Sequence, residues 1–247
     1  MKIKQLISLF AVAALLLSSC SGNKVCKVSS PDGRSEISVY RSSEGLPVFD
    51  VTVDDVTVLS GSEMGYVSPE GNVPGADWKT GRPLRGKVRD VWHPVWGKRE
   101  NVPDVYNSAS VKFSTDGKEV TLEIRAYDDG VAYRFINNAG ESVWTEKAGF
   151  NFAGDYTAWY YNGERHNIGP EPISEANGER LPVMTVKVSD KLYLAVHEAC
   201  LLSGKPMVFN SEAGSLKMEI VSNETAVDEG WSSAWRLVMF GRTPGDL

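Results

Sequence analysis

The carboxylate whose setting most suggests chemistry is Glu198, in the run Tyr193-Leu194-Ala195-Val196-His197-Glu198-Ala199. Two-residue alternation puts Leu192, Leu194, Val196 and Glu198 on one face of a strand. A Glu closing an apolar face either reaches solvent at the rim or is held by a partner, because unpaired buried charge is very costly. Pattern alone favours the rim. His197-Glu198 opens like a helical zinc-protease motif, but position 201 is Leu rather than His and the segment reads as a strand. A second place of interest is Trp92-His93-Pro94-Val95-Trp96-Gly97, two indoles close to a proline. The paired acids Asp54-Asp55 and Asp128-Asp129 stand at strand ends, where turn formation explains them better than catalysis. His93, His166 and His197 are scattered, each more readily a hydrogen-bonded structural residue than a ligand. No glycine-rich phosphate cradle and no Gly-x-Ser-x-Gly elbow is present, and no acid–base pair for catalysis is legible.

The elements that must position these residues are strands. Val48 to Val53 alternates, and so does Val120 to Ala126, where Val120, Leu122, Ile124 and Ala126 oppose Thr121, Glu123 and Arg125. Asp128-Asp129-Gly130 joins the latter to Val131 to Phe135, and Asp-Gly predicts a tight hairpin with positive φ. Further strands are expected at 183–188, 192–196, 216–221 and 235–240, and a turn at Ser29 to Arg34. No stretch keeps a 3.6-residue apolar period, and no fixed repeat points to a propeller or solenoid. The segments 71–86 and 164–180 read as long loops, rich in turn formers. The sum is an all-β sandwich or barrel.

The first residues are read as an export signal, not as fold. Lys2 and Lys4 precede an apolar run from Leu6 to Leu17, and Leu17-Ser18-Ser19-Cys20 then matches a bacterial lipobox. The expectation is a lipoprotein signal peptide at 1–19, a lipidated Cys20, and a tether over 20–27. The alternative is an ordinary signal peptide with an incidental cysteine. Lipidation would fix the protein to a membrane of the cell envelope, and the absence of acidic residues in Ser21-Gly22-Asn23-Lys24 favours the periplasm-facing side. The net charge of −6 is mild and no basic stripe is present, so nucleic acid is not an expected partner. Seven Trp and nine Tyr suit a protein that offers rings to carbohydrate. Cys26 and Cys200 are the remaining cysteines, and sequence cannot place them within bonding reach.

Several of these segments occur together in one order. They are Ser30-Pro31-Asp32-Gly33, Trp92-x-Pro94-Val95-Trp96-Gly97, Arg125 to Phe135, Tyr193 to Ala199 and Trp235-Arg236-x-x-x-x-Gly241. Over residues 28–247 the chain resembles the N-terminal domain of glycoside hydrolase family 97, the family of the starch-utilisation α-glucosidase of gut Bacteroides. The resemblance implies a β-super-sandwich like that of galactose mutarotase, built from two packed antiparallel sheets. It also implies a following (β/α)₈ barrel that carries the catalytic acid and base, absent from this chain, and a calcium ion in the active site of the intact enzyme. Glu198 matches the one calcium-ligand Glu that the N-terminal domain contributes. Calcium takes six to eight oxygens, so one Glu is not expected to hold it alone. The sequence departs from the family pattern after Glu198-Ala199, after Trp96-Gly97, and after Trp159-Tyr160-Tyr161, which leaves the sugar open.

Three functions compete on these readings. The first is an accessory domain of a calcium-dependent, exo-acting α-glucosidase or α-galactosidase, silent without a barrel supplied elsewhere. The second is a stand-alone carbohydrate-binding lipoprotein using Trp92, Trp96, Trp159 and Tyr160. The third is a self-sufficient enzyme of mutarotase shape, for which fold analogy is a poor warrant.

Overall fold

The structure is a computed structural model that describes residues 24–163 and 167–247. The expected leader, Cys20 and the start of the tether lie outside the described residues, as does His166.

Twenty-one strands account for most of the described chain. They begin with β1 (Lys24–Ser29), β2 (Ser35–Arg41), β3 (Pro47–Val53), β4 (Val56–Glu63), β5 (Tyr66–Ser68), β6 (Gly71–Val73) and β7 (Lys79–Thr80). Next come β8 (Leu84–Trp92), β9 (Val102–Thr115), β10 (Lys118–Tyr127), β11 (Gly130–Asn137), β12 (Ser142–Glu146), β13 (Ala148–Asn151) and β14 (Thr157–Tyr161). The chain finishes with β15 (Asn167–Pro172), β16 (Gly178–Ser189), β17 (Leu192–Ala199), β18 (Val208–Ser211), β19 (Lys217–Val221), β20 (Thr225–Val227) and β21 (Trp235–Gly241). Among the described residues the helical pieces are two single 3₁₀ turns, at 173–175 and 244–246.

The all-β sandwich expectation holds. β1 to β4 form a four-stranded antiparallel sheet in chain order. It packs across β9, β10 and β11 of a large open sheet whose main path runs β13-β19-β18-β16-β17-β21-β11-β10-β9-β7. A third small sheet is ordered β20-β12-β5-β6. The period-two pattern decides which face turns inward. In β2, Ile37 and Val39 are buried while Glu36, Ser38 and Tyr40 point outward, and in β10 Val120, Leu122, Ile124 and Ala126 are buried. Aromatic rings knit the layers. Phe49 of β3 lies 5.2 Å from Tyr133 of β11 and 6.4 Å from Phe150 of β13, which in turn sits 6.1 Å from Phe209 of β18.

Three local expectations change. Residues 24–27, expected to belong to the tether, are part of β1 instead, which buries Val25, Cys26 and Val28 against the sandwich. The segments 71–86 and 164–180 are not long loops, since β6, β7, the start of β8, β15 and the start of β16 fall within them. β6, β7, β8 and β15 are short or exposed outer strands, which lack the alternation that marks a half-buried strand. The hairpin at 128–130 is present but turns differently. Tyr127 pairs with Gly130, leaving Asp128-Asp129 as the two-residue connection, and none of the three has positive φ. Gly130 is needed for proximity instead, because a Cβ there would meet Val238 O at 3.1 Å and Met239 Cα at 3.4 Å. Positive φ is found instead in other hairpins, at Asp54 and Asp55 between β3 and β4, with φ of 47° and 64°, and at Gly117 between β9 and β10, with φ of 71°.

Candidate functional site

Glu198 sits at the end of β17, opposite Arg236 in the antiparallel register with β21. Arg236 Nη1 donates to Glu198 Oε2 at 2.5 Å. The other edge of the same guanidinium grips Glu146 at the end of β12, through Nε to Oε1 at 2.8 Å and through Nη2 to Oε2. The backbone N–H of Met207 donates to both oxygens of Glu198 at 3.0 Å, and Ser222 Oγ accepts from the backbone N–H of Glu146 at 3.0 Å. One arginine therefore bridges two carboxylates from different sheets. All three side chains are buried or nearly so, at 5% exposure for Arg236, 4% for Glu146 and 10% for Glu198.

This geometry corrects the rim reading of Glu198, which has a partner and little exposure. Alternation along β12 places Glu146 on the inward face with Trp144, a charged residue on an apolar face that only a cation could make tolerable. Burial weakens the proton affinity of Arg236, but the charge and hydrogen bonds of Glu146 outweigh it and hold the group above the ordinary arginine range. The phenols of Tyr66 and Tyr133 are both raised, first by burial and then by the negative charge of Glu146. Tyr133 Oη, His197 Nδ1 and Trp231 Nε1 are buried with no hydrogen-bond partner among the described residues. On the outer face beside the centre, Arg125 lies 4.5 Å from the ring centres of both Tyr106 and Trp235, and Arg134 lies 4.6 Å from that of Trp235.

The described residues do not by themselves fit a calcium site. Both oxygens of Glu198 already accept hydrogen bonds, a cationic guanidinium stands against one of them, and no group of three or more His, Cys, Asp or Glu is placed to hold a metal. Glu198 offers one carboxylate where calcium needs six to eight oxygens.

The other acids are structural. Arg34 grips Asp54 with Nε to Oδ1 at 2.8 Å and Nη2 to Oδ2 at 2.7 Å. Asp128 Oδ1 accepts from the backbone N–H of Asp32 at 2.8 Å, tying the Ser30–Gly33 turn to the β10–β11 hairpin. Cys26 is buried and Cys200 exposed, and both are free thiols. Trp92, Val95 and Trp96 protrude at 61%, 100% and 90% exposure, and Leu202 just beyond β17 at 88%. Trp159 is partly buried, while Tyr160 is fully buried and unavailable to a ligand, contrary to expectation. Sequence reasoning missed Arg236 as the partner of Glu198, Glu146 as the second carboxylate it holds, and Arg41, whose buried guanidinium donates to the carbonyls of Gly45, Gly75 and Trp78.

The site stands on an all-β sandwich that leaves the indoles of Trp92 and Trp96 exposed. Comparison with known proteins supplies the family. The chain belongs to the glycosyl-hydrolase 97 N-terminal family, whose model matches residues 28–247. It is 21% identical over 231 residues to a retaining α-galactosidase of Bacteroides thetaiotaomicron, covering 86% of this chain and 34% of that protein. Among solved structures it is similar to a family 97 glycoside hydrolase from Pseudoalteromonas sp. strain K8 in complex with acarbose, with a TM-score of 0.76, 19% identity, and 90% of this chain against 36% of that one. A β-arabinopyranosidase gives the same TM-score at 16% identity, with 88% and 40% coverage. At these identities the solved structures speak for the fold. The chain spans about a third of the length of the curated relative it matches.

Proposed function

We propose that this chain is the N-terminal accessory domain of an exo-acting glycoside hydrolase of the α-glucosidase or α-galactosidase type, and that it has no turnover of its own. The observation that carries this reading is the state of its carboxylates. Glycoside hydrolysis needs two carboxyl groups flanking the scissile bond. Here Glu146 and Glu198 are clamped by Arg236, Glu63 and Glu219 are both held by Lys217, and Asp54 and Asp128 are bound into turns. The bared indoles of Trp92 and Trp96 suit a surface that another domain covers, since contiguous exposed apolar patches on soluble proteins usually mark partner sites. In the whole enzyme Glu198 would supply one oxygen to a calcium whose remaining ligands come from the barrel. Cys20 carries the lipid that holds the protein in the cell envelope, facing the periplasm.

The test is incubation of the mature chain with aryl α-glucosides and α-galactosides, with and without millimolar calcium. No turnover is expected. Turnover abolished by substitutions within this chain would overturn the proposal. Adding the catalytic barrel of a family 97 relative should then yield calcium-dependent hydrolysis that Glu198→Gln lowers. Incorporation of a fatty-acid analogue, lost in Cys20→Ala, tests the anchor. The second reading, a stand-alone sugar-binding lipoprotein, is favoured by the exposure of Trp92 and Trp96 alone. It predicts millimolar or tighter binding of malto- or galacto-oligosaccharides that Trp96→Ala removes.

A further inference from the structure

We propose that the groove between β1 and β8 is a basic platform that binds the phosphates of anionic phospholipid in the membrane holding Cys20. The inference rests on lipidation of Cys20, proposed above, and adds a second contact with the same surface.

The groove has a volume of about 490 Å³ and is lined by Lys24, Lys27, Arg85, Lys87, Asn107 and Ser108, with Ser29 at its floor. Its cations come from two strands. Lys24 and Lys27 lie on β1, while Arg85 and Lys87 lie two apart on β8 and so project to one side of it. Arg85 Nη1 donates to the carbonyl of Lys27 at 2.7 Å, which fixes the two strands as the groove's walls. Asn107 Nδ2 donates to the carbonyl of Ser29 at 2.8 Å and closes the base.

The charge of the groove is largely uncompensated. The acid that faces it from β2 is Glu36, and Glu36 is engaged by Lys27, Ser29 and Ser38. Lys24, Arg85 and Lys87 form no salt bridge among the described residues, and all three are exposed. The chain as a whole carries −6, so this concentration of positive charge runs against the average of the molecule. An acidic body tethered to an anionic surface is repelled by it unless such a patch turns inward.

Position selects the occupant. Cys20 and Lys24 are four residues apart, so at full extension the lipidated residue lies within about 14 Å of the groove's first lysine. The platform cannot be far from whatever membrane holds Cys20. A lipid phosphate is thus offered to it at high local concentration, whereas a soluble anion is not.

Vesicle sedimentation tests the assignment. The mature chain, residues 20–247 with Cys20→Ala, keeps every described strand without the acyl chains. It should pellet with vesicles of phosphatidylcholine containing phosphatidylglycerol, should not pellet with phosphatidylcholine alone, and should be released by salt. Each cation facing an anionic leaflet strengthens attachment about fivefold, so Lys24→Gln with Lys87→Gln should weaken it about 25-fold. Neither lysine side chain makes a hydrogen bond or ion pair among the described residues, so the melting temperature should not change, and Arg85→Gln serves as an independent variant. Equal pelleting with both vesicle types, or unchanged binding by the double variant, would overturn the proposal. Release by millimolar inorganic phosphate where chloride of equal ionic strength has no effect would reassign the groove to free anions and also overturn it. Fatty-acid labelling separates the two readings. Vesicle binding without labelling removes the anchor and leaves the groove, while labelling without vesicle binding does the reverse.

Discussion

Replacing Arg236 by Met should destabilise this domain markedly, because it strands two carboxylates that are almost fully buried. The guanidinium is 5% exposed and bridges Glu146, at 4%, and Glu198, at 10%. Methionine fills most of the volume but leaves two buried carboxylates with no cation. Breaking a buried pair by removing one partner costs about 3–5 kcal/mol. Met207 N–H still serves Glu198, so most of that falls on Glu146, whose side-chain hydrogen bonds among the described residues come from Arg236 alone. For a domain of this length about 2–4 °C of melting temperature accompanies each kcal/mol, so a fall of about 10 °C is expected at pH 7.5. In the unsubstituted protein Arg236 is held above the ordinary arginine range and stays charged. Arg236→Lys should be intermediate, because an ammonium keeps the charge and loses the fork. The double change Arg236→Met with Glu146→Gln should recover part of the loss. Thermal denaturation of all four proteins at pH 7.5 decides it. A melting point for Arg236→Met within 1 °C of the parent would refute the argument.

Three further outcomes are expected. Phe150→Ala, at a fully buried ring touching Phe49 and Phe209, should destabilise by about 3–5 kcal/mol in urea titrations. Trp96→Ala should leave the melting temperature nearly unchanged, because the ring is 90% exposed, yet weaken association with a catalytic barrel in a pull-down or calorimetric assay. Burial pushes the Cys26 thiol up to about 11, against the milder opposing charges of Arg85 and Lys24. The unfolded thiol ionises at lower pH than the folded one. Stability should therefore decline from about pH 9 to pH 11, and at pH 8 a thiol reagent should label exposed Cys200 rapidly and Cys26 only after unfolding.

The parts of the fold legible in the sequence are those whose strands are half buried. Val120 to Ala126 alternates because one face meets the core and the other does not, and the structure places Val120, Leu122, Ile124 and Ala126 inward as that pattern requires. β8 escaped notice for the opposite reason. It hangs on β9 as an outer strand, nearly all its residues are exposed, and nothing in Leu84 to Trp92 has to alternate. β9 did carry a signal, in the alternation of Ala109, Val111 and Phe113 with Ser110 and Lys112. Gly130 was legible as a turn residue but not for its actual role, since the backbone that crowds it belongs to β21, more than a hundred positions later.

The centre shows the same limit more sharply. Glu198 stood out because it broke an apolar face, and the physical rule behind that, that a buried charge must be paired, was sound. What local pattern could not supply was the identity of the partner. Arg236 comes from the neighbouring strand and Glu146 from another sheet, so the triad exists only once β12, β17 and β21 have been brought together. That arrangement also changes what Glu198 is suited to do. A carboxylate bound by an arginine and a backbone N–H is positioned without being neutral, because one guanidinium shared between two carboxylates leaves a net negative charge. Buried net charge of this kind is tolerated when something cationic or strongly polar completes it. In an isolated domain the Arg236 triad is an incomplete electrostatic unit near the end of β17, beside the exposed Leu202. On the proposed function, the same residual charge would favour a cation brought by an adjoining domain, so a Glu firmly held within the sandwich would still be able to act at that boundary.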